Sequence, residues 1–126
     1  MQKEVKDWLD QAKADLKTSK DMIKTNNYYA SVSFSQQAAE KTLKAFVLLL
    51  TKETPPKTHD LLDLCRKTKA PVEIEQAASK LSVTYFSSRY PGTAPEIPAR
   101  YYTKEKAEKH LEEAEVIIKW VLQEIQ

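Results

Sequence analysis

Glycine and cysteine are nearly missing: the sequence holds one of each in 126 residues. A single glycine cannot build a phosphate-cradling glycine-rich loop, which needs several residues free to adopt positive φ. A single cysteine excludes an internal disulfide and a cysteine-based zinc site. The six prolines all fall between residues 55 and 98, so 1–54 and 99–126 contain neither proline nor glycine. Uninterrupted stretches of that kind exclude a turn-rich sandwich or barrel and favour long helices. No apolar run is longer than Ala45 to Leu50, far short of the roughly 20 residues that span a bilayer. The opening MQKEVKDWLD carries acids and no apolar core, so no secretory signal is expected and the location is expected to be cytoplasmic. Net charge is only +2 and spread evenly, which leaves no basic stripe for a nucleic-acid duplex. What is present is 41% hydrophobic and 30% charged residues, the balance of one soluble domain over 1–126.

Periodicity predicts an all-α, up-and-down four-helix-type bundle of about five helices, one of them short. In the first, Val5, Trp8, Leu9, Ala12, Leu16 and Ile23 form one apolar stripe, and Thr25-Asn26-Asn27 ends it. The second runs from about Tyr28 to Thr51 and is apolar on two sides. That breadth predicts several neighbours, or a second subunit. Pro55-Pro56 cannot continue a helix. Thr58 is a plausible N-cap for a short third helix. After Ala70-Pro71 the fourth helix is expected to run to about Ser88 on Ile74, Ala77, Ala78, Leu81 and Tyr85. The segment 91–102 reads as one long loop. Thr103 can cap a fifth helix with a heptad-like seam through Ala107, Leu111, Ala114, Ile118, Val121 and Ile125. Two apolar faces and a seam predict a homodimer burying roughly 1,200–2,000 Å².

Chemistry-bearing patterns are few. His59 and His110 lie far apart with no second ligand at metal-motif spacing, so no metal and no cofactor is expected. Cys65 sits on an apolar helix face and reads as a buried, inert thiol. His110 flanks the seam of the last helix and reads as a packing histidine. Two constellations remain. Ser33, Gln36, Gln37, Glu40 and Lys44 form a polar stripe on an otherwise apolar helix. Such a stripe is either the solvated face or a lined groove in which a buried Glu40 needs Lys41 or Lys44 as partner. The second is Lys57-Thr58-His59-Asp60 together with Ser87-Ser88-Arg89-Tyr90-Pro91, each at a helix end beside a proline. Arginine and tyrosine can grip a phosphate or stack on a base, whereas the plainer reading is capping and a surface ion pair.

The order of residues resembles the HEPN domain family. Tyr28-Tyr29, then Phe34-Ser35-Gln36-Gln37-Ala38-Ala39-Glu40-Lys41 and Leu43-Lys44-Ala45, is similar to that family's second helix. Lys57-Thr58-His59-Asp60-Leu61 and Ser88-Arg89-Tyr90-Pro91 follow in the family's order. The resemblance implies a prokaryotic, cytoplasmic homodimer that binds a nucleotide or nucleotide-like anion, as a substrate-binding subunit for a minimal nucleotidyltransferase. It assigns ligand contact to Arg89, Tyr90, His59, Lys44 and Lys41, and motif roles to Gln36, Gln37, Glu40, Asp60 and Pro91. Other family members are endoribonucleases that use an arginine followed, after four to six residues, by a histidine. Here Arg89 is followed at 94, 95 and 96 by Ala, Pro and Glu, and Arg100 precedes His110 by nine intervening residues. The resemblance therefore implies a non-catalytic member, with an RNase or a purely structural dimer as the alternatives.

Overall fold

The two stretches without proline and glycine are mostly helix, broken only at residues 25–27 and 102–103 and beyond residue 51. The computed structural model describes residues 1–126 and contains α1 (Lys3–Lys24), α2 (Tyr28–Thr51), α3 (Leu61–Lys67), α4 (Val72–Ser82), α5 (Thr84–Ser87), α6 (Pro98–Tyr101) and α7 (Lys104–Glu124), with no strand. Three of the seven are short, so the expected helical bundle is what forms. No helix is long and apolar enough to cross a membrane.

The connections follow from local chemistry. Asn26 takes the left-handed conformation (φ 63°) after α1, and the Asn27 and Asn26 N–H groups return to the Met22 and Ile23 carbonyls. That is the Schellman pattern, and asparagine is among the few non-glycine residues that tolerate it. Lys69 (φ 55°) closes α3 in the same way, with the Ala70 and Lys69 N–H groups on Cys65 and Arg66. The Thr103 hydroxyl accepts the Lys106 N–H and starts α7 as anticipated.

Three local expectations are corrected. The N-cap of α3 is Asp60, whose carboxylate accepts the Leu62 N–H, while the Thr58 hydroxyl takes the Asp60 N–H one step earlier. The fourth helix does not run unbroken to Ser88. It is interrupted at Val83, beside the point where the Thr84 hydroxyl binds the Leu81 carbonyl at 2.7 Å, a side-chain bond that competes with the helical ladder. The 91–102 segment is not all loop, because Pro98 opens the single turn of α6, the position where its fixed φ and missing N–H suit a helix start.

Helix α2 is central. It packs against α1 on one side and α7 and α3 on the other, with α4 across α7 and α3. Leu43, Phe46 and Val47 of α2 meet Leu61, Leu64 and Cys65 of α3, Ile74, Ala78 and Leu81 of α4, and Ala114, Ile117 and Val121 of α7. Each such leucine or isoleucine contributes roughly 1.5–3 kcal/mol by leaving water. The α1–α2 seam is built differently, from small residues: the Ser19 hydroxyl lies within 2.7–3.0 Å of the Ser31 and Ser35 hydroxyls and donates to the Ser31 carbonyl. The two-sided apolar character of α2 is therefore largely used within one chain.

Candidate functional site

Helix α2 contributes the floor of the site through its polar stripe, and the stripe is not a solvated face. Gln36 is fully buried, and Glu40 and Lys44 are buried with it; Ser33 and Gln37 lie at the boundary. The Glu40 carboxylate accepts from Gln36 Nε2 at 2.9 Å and from Lys44 Nζ at 3.0 Å, and lies 3.0 Å from His59 Nδ1. Burial pushes the Glu40 carboxyl up, but the hydrogen bonds from Gln36, Lys44 and His59 outweigh it, and the net displacement is below its ordinary value. An ionised carboxylate only accepts, so His59 Nδ1 carries the proton toward Glu40.

The segment before α3 brings His59 to this floor, and α5 supplies the opposite wall. The start of α3 is tied to the end of α4, since Ser82 Oγ accepts the Leu61 N–H at 3.0 Å and lies 3.4 Å from Asp60. That tie sets His59 and Tyr85 ring on ring, with centroids 4.0 Å apart and planes 13° from parallel. The Arg89 guanidinium carbon lies 4.1 Å from the same tyrosine ring centre. Two groups cannot share one face of a ring at that distance, so Tyr85 is held between His59 and Arg89. Arg89 also donates to the Tyr85 carbonyl at 2.7 Å and, more weakly, to the buried Gln36 side-chain oxygen at 3.4 Å.

No carboxylate oxygen stands within 4.0 Å of Arg89, so the surface ion pair of the plainer reading does not form there, with Asp60 or any other acid. Arginine carries five N–H donors, and the two bonds to Tyr85 and Gln36 use the minority of them. Phe86 and Tyr90, 58% and 52% exposed, stand next to it with ring centres 6.3 Å apart. Beside Arg89 the Ser88 hydroxyl is buried without a hydrogen-bond partner.

Of the residues assigned by sequence, His59 and Arg89 thus stack on Tyr85, Gln36 and Glu40 are hydrogen-bonded to them, and Lys44 joins only through Glu40. Tyr90 and Pro91 extend outward from that cluster, and Asp60 is a helix cap. Lys41 lies elsewhere: its ammonium pairs at 2.6 Å with the buried Asp15 of α1. Periodicity assigns Tyr85 to the core and misses it as a site residue, although its place four residues before Arg89 is the spacing at which helical side chains meet. No group of three or more His, Cys, Asp and Glu side chains converges as metal ligands would.

A family model for the HEPN domain matches residues 5–125 of this sequence. The chain belongs to the HEPN family. Among solved structures, this HEPN chain is similar to a Thermus thermophilus protein at 31% identity and TM-score 0.87, over 97% of this chain and 98% of that one. It is also similar to an archaeal HEPN homologue at 31% identity and TM-score 0.83, over the full length of both. An HEPN domain protein of Thermotoga maritima, at 24% identity and TM-score 0.72 over 94% and 96%, shares the fold. No curated protein matches the sequence significantly.

Proposed function

We propose that this HEPN chain is a non-catalytic binding subunit for a nucleotide or nucleotide-like anion, acting with a minimal nucleotidyltransferase. One observation carries the reading: Arg89 is half-buried, fixed on Tyr85, and has no acid to neutralise it. A cation so placed lacks the counter-charge that partial desolvation calls for, and a phosphate would supply it. The His59 ring borders the same space, and exposed Phe86 and Tyr90 offer faces for a base. Lys44, held on Glu40, adds positive potential rather than direct contact, and Lys41 is engaged by Asp15. The proposed assembly is a cytoplasmic, prokaryotic homodimer. The surface a second copy would cover is the apolar groove of about 380 Å³ between α1 and α7, lined by Leu9, Leu16, Ile118 and Leu122.

The test is calorimetric titration of nucleoside mono- and triphosphates into the chain, alone and with a co-purified nucleotidyltransferase. A charge-assisted hydrogen bond contributes about 1.5–3 kcal/mol, so Arg89→Ala should weaken binding tenfold or more while the helical spectrum is retained. Equal affinity of wild type and Arg89→Ala would overturn the reading. RNA cleavage that survives repurification and is lost in His59→Ala would replace it with an endoribonuclease.

A further inference from the structure

A second cleft lies on the far side of α5 from Tyr85 and Arg89, between the loop before α6 and the first turns of α7. Its volume is about 420 Å³, against about 380 Å³ for the groove between α1 and α7, and it falls in the range of small-ligand pockets. Three lysines reach its rim: Lys80 from α4, and Lys106 and Lys109, one turn apart on α7. None has a carboxylate oxygen within 4.0 Å. The one acid lining the cleft, Glu113, is already held 2.6 Å from His110 Nδ1, which leaves the His110 Nε2 edge without a partner.

The placement of one of these lysines works against the helix that carries it. Lys106 stands in the first turn of α7, where the positive end of the helix dipole disfavours a cation. Its ammonium rests 4.6 Å from the centre of the Tyr101 ring instead of on an acid. Deeper in the cleft, the Ser87 and Tyr102 hydroxyls are hydrogen-bonded to each other, giving a small neutral polar floor. Convergent unpaired cations, a hydroxyl floor and an aromatic side wall together describe a site for concentrated negative charge. A single phosphate would satisfy one or two of the lysines, whereas adjacent phosphates could engage all three.

We propose that this cleft is a second anion site, taking a ligand with consecutive phosphate groups, either inorganic polyphosphate or the phosphate chain of a nucleoside triphosphate. The site is independent of the Arg89 reading, because Arg89 does not line the cleft.

The experiment titrates tripolyphosphate, and separately ATP, into the full chain at moderate salt, followed by calorimetry and amide chemical shifts. Saturable binding is expected, with shifts at Ser87, Tyr102 and His110. The double variant Lys106→Glu/Lys109→Glu should lose at least tenfold in affinity. A charge-matched control, Lys24→Glu/Lys52→Glu, changes exposed lysines that line neither this cleft nor the groove between α1 and α7 and should lose much less. Unchanged thermal midpoints would show that both variants fold. Tighter binding of ATP than of tripolyphosphate would place its base against Tyr101, and equal binding would assign the site to phosphates alone. The proposal is overturned if neither probe saturates by millimolar concentration, or if both double variants weaken binding equally. Loss of both probes in Arg89→Ala would also overturn it, by moving them to the other site.

Discussion

Replacing Glu40 by glutamine keeps the shape of the side chain and removes its charge. In the native site one carboxylate serves three neighbours, Gln36 and Lys44 as donors and His59 Nδ1 at 3.0 Å. A glutamine has one acceptor oxygen and an amide that must point its hydrogens at a group that is itself a donor. Lys44, 6% exposed, would be left with an uncompensated buried charge. Breaking a buried pair from one side costs about 3–5 kcal/mol. His59 is 49% exposed at its side chain and can turn to water, so the lower end, about 3 kcal/mol, is expected here. Against a total stability of about 5–15 kcal/mol for a domain, that is a visible shift in a urea melt. Adding Lys44→Met should restore more than half of the loss, since the pair and not the carboxylate alone is at stake. The pH dependence has a definite sign. Glu40 has a folded pKa below its ordinary 4.5, so its contribution is complete above that value and is lost as the pH falls through the lower folded one. The gap between wild type and Glu40→Gln should therefore close in acid as the pH falls below about 4.5. A neutral-pH loss under about 1 kcal/mol, less than a net charged hydrogen bond contributes, would refute the account of the buried stripe.

Lys69→Gly should stabilise the chain by about 0.5–1 kcal/mol in the same melt, because a left-handed lysine is strained and glycine there is not; no change or a loss would mean the turn is not strained. Cys65 is buried, and burial pushes its thiol to about 11, so iodoacetamide at mild alkaline pH should leave it unmodified until urea unfolds the chain. Rapid stoichiometric labelling of the folded protein would contradict that burial. Sedimentation at micromolar concentration should show a dimer, and a lone 14.5 kDa species would remove the proposed assembly.

The parts of the fold readable in the sequence are those decided within a few residues. Both ends of α2 are marked, by Asn26-Asn27 before it and Pro55-Pro56 after it, and Thr103 marks the start of α7. The start of α3 is less legible because Thr58 and Asp60 are both capping residues. The structure uses both, and Ser82 of α4, a tertiary contact, claims the Leu61 N–H between them. Periodicity likewise cannot decide whether the stripe on α2 faces water. That depends on what lies across from it, and His59 and Tyr85 arrive from other segments. Lys41 shows the same limit: it neighbours Glu40 in sequence, but successive helical residues point about 100° apart, and Asp15 of α1 meets it first. Two apolar faces on α2 point to a second subunit only until α1, α3 and α7 are seen to surround that helix.

The break at Val83 explains why Tyr85 serves the site and not the core. Ala78 and Leu81 are fully buried, and in an unbroken helix residue 85, at four positions beyond 81, would continue their stripe inward. The Thr84 hydroxyl on the Leu81 carbonyl interrupts the run between those two positions. The chain beyond the break is re-aimed, so that Tyr85 reaches the boundary beside His59 while Ser87 turns to the Tyr102 hydroxyl on the other side. Within the new segment the four-residue spacing still operates, and it sets Arg89 over the ring of Tyr85 and beside its carbonyl. A side chain that hydrophobic patterning assigns to the interior thereby becomes the surface on which a histidine and an arginine are fixed. Helical spacing is thus a reliable guide on either side of Val83, and it misleads only when it is carried across the break.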